Sequence, residues 1–87
     1  MVEVTENEVM LVIRHNGRSA CSSQEEIDTK YYANNFDPTK YWHCEAMNVP
    51  ATDKQCGVER AFHQKKRECV PWNQWQWFPY DDPPNKA

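Results

Sequence analysis

Eighty-seven residues, a formal net charge of -3 and 39% hydrophobic content describe one small domain with a thin core. The acidic balance argues against nucleic acid as a partner, because backbone phosphates are held by an excess of lysine and arginine. The longest apolar run, Val9-Met10-Leu11-Val12-Ile13, is far below the ~20 residues of a membrane span and too short for a signal-peptide core.

A core this small contributes only roughly 3–5 kcal/mol, so covalent staples are expected. Four cysteines supply two, each worth about 3 kcal/mol. An even cysteine count in a short chain favours a secreted, oxidised protein. Its signal peptide is then expected to have been removed, with Met1 an added start. No Asn-x-Ser/Thr triplet is present, and N-glycosylation is not expected.

Residues 1–20 read as an N-terminal extension. Val9 to Arg14 is a β-prone run stopped by Asn16-Gly17, a hairpin-turn signal, with the partner strand expected near Cys21. Cys21 to Asp28 suits either a short helix capped by Ser22 or Ser23, with Glu25 or Glu26 in its first turn, or a solvated loop. Tyr31-Tyr32-Ala33 precedes a turn at Asp37-Pro38. Lys40 to Glu45 then reads as a strand. Period two places Tyr41, His43 and Glu45 on one face and Lys40, Trp42 and Cys44 on the other. A bridged cysteine points inward, so Trp42 belongs to the core and Tyr41 and His43 to the outer face. Lys54-Gln55-Cys56 follows as a second strand after a loop. Ala61-Phe62-His63 and Glu68-Cys69-Val70 flank Lys65-Lys66-Arg67 as a hairpin with a solvated basic turn. Trp72 to Tyr80 carries five rings in nine residues, interleaved with Asn73, Gln74 and Gln76. Residues 78–87, ending in Asp81-Asp82-Pro83-Pro84-Asn85-Lys86-Ala87, read as a tail or linker.

Eleven residues separate Cys44 from Cys56, and twelve separate Cys56 from Cys69. This spacing, with Asp37-Pro38-Thr39-Lys40-Tyr41-Trp42-His43-Cys44, Phe62 six residues after Cys56, and Trp72 after Cys69, resembles the peritrophin-A type of chitin-binding domain (chitin-binding type 2). Tyr31-Tyr32-Ala33 sits at the family's aromatic lead-in, and Cys21 stands where its first cysteine does. The likeness spans residues 21–77. It implies a small, disulfide-rich, mostly β fold: an antiparallel sheet of about three strands and a short C-terminal hairpin. It also selects Cys21–Cys44 and Cys56–Cys69 from the three pairings that four cysteines permit.

The chain departs from the pattern in places. Most members have six cysteines, and the missing two would fall near Pro38 and near Trp75 or Trp77, which is the signature of one lost bridge. Gly57 and Glu59 replace a usual Pro and Gly, and His63 replaces a usual Asn. These changes bear on carbohydrate affinity more than on the fold.

The resemblance implies non-catalytic, extracellular binding of chitin or a related N-acetylglucosamine polysaccharide, as in a peritrophic matrix or cuticle. The other reading is an interaction module for a second extracellular protein, since a Trp-rich patch also suits a protein contact. Tyr41, His43, Trp72, Trp75 and Trp77 are the candidate ligand-binding residues, because exposed rings lie on the C–H faces of sugars. Trp75 and Trp77 have a competing role, packing over the lost bridge, with Trp77 against Pro38. His43, Cys44, Cys56, His63 and Cys69 do not have zinc-site spacing. The acidic pairs Glu25-Glu26 and Asp81-Asp82 read as solvated. No catalytic set, metal or cofactor is expected.

Overall fold

The computed structural model describes residues 15–87. The Val9–Arg14 strand expected from the sequence lies outside them. Ser23 caps a short helix, α1 (Gln24–Thr29), its hydroxyl accepting from Glu26 N. Lys30, with φ 73°, closes the helix and turns the chain directly into β1 (Tyr31–Ala33). β2 (Lys40–His43) and β3 (Thr52–Gln55) complete an antiparallel sheet in the order β1-β2-β3. β4 (Arg60–His63) and β5 (Glu68–Pro71) form a separate two-stranded hairpin, followed by a 3-10 turn over Trp72–Gln74. The fold is therefore small and mostly β, with a three-stranded antiparallel sheet, a hairpin and two disulfides. Among the described residues no helix is long and apolar enough to cross a membrane.

The strand period sorts the side chains. Tyr32 and Trp42 face each other across β1 and β2 and pack with Cys21, Cys44 and Ala51 as the core. Ile27 covers this cluster from α1. The Trp42 indole N–H donates to Asn16 O at 3.0 Å, which satisfies its one polar atom. Arg18 lies over the same ring and donates to Ala51 O. The opposite face of the sheet meets the hairpin, where Tyr41 stacks on Phe62 with ring centres 5.2 Å apart. Phe62 N donates to Pro38 O, and Cys56–Cys69 ties the chain just beyond β3 to β5. The disulfides join Cys21 to Cys44 and Cys56 to Cys69.

The hairpin expected around Asn16-Gly17 would begin in residues outside those described. Among the described residues, Ser19 bridges antiparallel to Lys86, and Ala20 N donates to Asn85 O. Residues 78–87, which read as a tail, thus return to the body of the domain. Gly17 has φ +88°, and a side-chain carbon there would collide with Ala33 O. Gly17→Ala is expected to cost at least ~2 kcal/mol, from left-handed backbone strain and the clash together. The urea midpoint measures it.

Candidate functional site

The Asp37-Pro38 turn between β1 and β2 builds one side of a cleft. Asn34 Oδ1 accepts from Phe36 N and Asp37 N, and Asp37 Oδ1 accepts from Thr39 N and the Thr39 hydroxyl. The Thr39 hydroxyl, then its N–H, hold the Asp37 carboxyl below the ordinary range. This network fixes the backbone that presents Asn34, Asn35 and Pro38. The chain after the 3-10 turn supplies the other side, with Trp75 and Trp77, and Gln64 closes the end. Pro38 and Trp77 line the same cleft.

The rings of this cleft play different parts. The Trp75 indole N–H donates to Phe62 O at 3.0 Å, so Trp75 is anchored to the hairpin. Trp77 has no such anchor among the described residues and is 64% exposed. Trp72 stands edge-on to Trp75, with ring centres 5.6 Å apart, but opens into a different hollow beside Glu59, Pro71 and Asn73.

A second concavity lies where the sheet's outer face meets the hairpin, between Tyr31, Tyr41, Phe62 and Arg67. Tyr41 is half-buried there, between Phe62 on one side and Tyr31 edge-on at 5.8 Å. The expectation that Tyr41 stands free on an outer face is thus corrected: the hairpin covers that face. His43 lies 4.9 Å from the Tyr31 ring, with its Nδ1 3.3 Å from Glu45 Oε2. A hydrogen bond and the charge of Lys54, with a smaller effect of His43, hold the Glu45 carboxyl below its usual value.

The five candidate ring residues lie on three separate surfaces. Tyr41 and His43 belong to the sheet face, Trp75 and Trp77 to the cleft, and Trp72 to a third hollow. Phe62 joins the first two groups because it lines both concavities. The cleft holds about 90 Å³ and the sheet-face concavity about 280 Å³. An enclosed small-molecule pocket holds roughly 300–1,000 Å³. These surfaces suit a ligand that lies across them.

Sequence reasoning missed Tyr31, Asn34, Asn35 and Gln64. The pairing Tyr31↔His43 would have placed Tyr31, had the register been known. Nothing local marks Gln64, which follows β4 and reaches the cleft through the hairpin's position. In the basic turn Lys65 and Lys66 are exposed, as expected, but Arg67 is not free: it donates to Tyr31 O at 2.8 Å and lies over Tyr32. Among the described residues no group of three or more His, Cys, Asp and Glu side chains is placed to hold a metal ion. Comparison with known proteins finds no matching family model, curated protein or solved structure.

Proposed function

We propose that the chain is a non-catalytic carbohydrate-binding module of the peritrophin-A type, which recognises chitin or a related N-acetylglucosamine polymer at the Trp75–Trp77 cleft. One observation carries this reading: an open cleft lined by an exposed indole and side-chain amides, with no carboxylate among its described lining residues. Trp77 offers a ring face to the apolar side of a pyranose. The Asn34 NH₂ and the Gln64 carbonyl oxygen are the polar partners for hydroxyl and acetamido groups. The surface is shallow, so affinity per module is weak and repeated modules raise it. Two disulfides are compatible with an extracellular location.

The division of the rings decides the test. Trp77→Ala is expected to lower retention on chitin beads roughly tenfold, on the scale of a single hot-spot ring, with stability changed by no more than ~0.5 kcal/mol. Trp75→Ala is expected to cost about 2 kcal/mol, because it removes the anchor to Phe62 O as well as a half-buried ring. Retention that survives Trp77→Ala would move the site to Tyr31, Tyr41 and His43. A folded, oxidised wild type that is not retained would favour the second reading, a protein partner. The exposed rings Phe36, Trp77 and Tyr80 favour that reading independently of any sugar.

A further inference from the structure

The last ten residues cross the molecule and touch a different element at each step. Gln64 Nε2 donates to Pro79 O at 2.9 Å, and Asn35 Nδ2 donates to Asp82 Oδ1 at 2.9 Å. Pro83 is buried. Ala20 N donates to Asn85 O at 2.8 Å, and Ala87 N donates to Arg18 O at 2.9 Å. The segment therefore ties the β1–β2 turn, the hairpin and the N-terminal residues together. Trp77 lies immediately before it and Phe78 is its first residue, and both line the cleft.

Its contacts are unequal. The Asp81–Arg67 and Asp82–Lys86 ion pairs are partly exposed and contribute little. The Asn85 amide donates to Glu26 Oε2 at 2.5 Å, onto a carboxylate that is itself 0% exposed. A hydrogen bond to a buried charge is about twice as strong as a neutral one, and its loss leaves the charge without a partner.

We propose that residues 78–87 are a latched strap that sets the shape of the ring-lined cleft, and that Asn85, bonded to Glu26, is the positioning residue that fastens it. This rests on the cleft being the ligand site. Asn85→Asp tests it, because two carboxylates then meet at pH 7, whereas near pH 5 a shared proton restores a donor between them. The carboxylate of Glu26 is faced by Ser19 from the N-terminal segment and by Ser22 and Ser23 from the helix cap. Tyr32 on β1, the Arg67 guanidinium over its ring, and Glu25 are the other titratable or charged groups around it.

At pH 7 the protection factors of the Ala20 and Ala87 amides are expected to fall roughly tenfold in Asn85→Asp and to recover near pH 5. The indole N–H resonances of Trp75 and Trp77 should shift over the same pH range, with Trp42 unchanged, and chitin retention relative to wild type should follow. Asn85→Ala should stay loosened at both pH values. Unchanged protection at Ala20 and Ala87 would overturn the latch. Lost protection with wild-type Trp75 and Trp77 resonances would overturn the link between strap and cleft. Wild type that is not retained on chitin would overturn the carbohydrate reading, and the strap would then be judged by the indole resonances alone.

Discussion

Replacing Cys21 and Cys44 together by alanine is expected to leave the chain unfolded at 25 °C, whereas the same change at Cys56 and Cys69 leaves the three-stranded sheet standing. Loop closure does not separate the two bridges. Their sequence separations of 23 and 13 residues make each worth roughly 3 kcal/mol, within a few tenths of one another. Location separates them. Cys21 and Cys44 are buried among Tyr32, Trp42 and Ala51, so their sulfurs are part of the core as well as its staple. Deleting them opens a cavity that adds about 1–2 kcal/mol to the lost constraint. That sum consumes most of the stability a domain of this size has. Cys56 and Cys69 are only half-buried and join sheet to hairpin. Without them the hairpin is left to non-covalent contacts such as the Tyr41–Phe62 stack and the Phe62 N to Pro38 O bond, which do not hold it, while the sheet keeps its own bridge and core. Amide shift dispersion reads both variants. The first should collapse throughout; the second should keep the signals of β1 to β3 and lose those of β4 and β5. The reverse pattern would place the domain's stability in the hairpin and contradict the location argument.

The elements that were legible in the sequence are those whose cause is local. The Ser22-Ser23 to Glu25-Glu26 spacing allowed a capped helix as well as a loop, and the structure takes the helix, with Ser23 as its cap. The alternation over Lys40 to Cys44 put Trp42 inside, and it is inside. Hairpin and basic turn followed from two short β-prone runs around Lys65-Lys66-Arg67. What could not be read depends on residues far apart in sequence. Tyr41 lost its free face because Phe62, on another strand, covers it. Residues 78–87 look like a linker because their composition is polar and Pro-rich. They are held by backbone bonds to residues 18–20 and by one amide on a buried acid, and composition encodes neither. The candidate rings were found as residue types. Their division among three surfaces required the position of the hairpin.

Glu26→Ala is expected to cost on the order of 3 kcal/mol, the largest effect of any single charged residue among those described. From sequence, Glu25-Glu26 reads as a solvated pair of acids. The structure corrects half of that: Glu25 is exposed and Glu26 is fully buried. An acid in that position survives as a carboxylate only if its oxygens are satisfied. Burial alone raises its pKa. The hydrogen bonds from the Ser19 hydroxyl, the Asn85 amide, the Ser23 hydroxyl and Ser22 N outweigh burial and lower it from 4.5 to about 2. The substitution therefore removes the acceptor for four donors drawn from the N-terminal segment, the helix cap and the C-terminal strap. Ser19, also fully buried, is left unsatisfied with them. The same carboxylate makes stability depend on pH with a definite sign. Its folded pKa is depressed, so between pH 4.5 and about 2 the unfolded chain binds more protons than the folded one. Its contribution is complete above that window and is lost as pH falls through it. Asp37 and Glu45, also lowered, act in the same direction, but exposure to solvent and salt weakens their share. Urea midpoints between pH 6 and pH 2 should fall steeply for wild type and clearly less for Glu26→Gln, which keeps the shape without the charge. Equal slopes would mean that the acid sensitivity of this domain lies in its surface carboxylates and not in the group that joins Ser19 to Asn85.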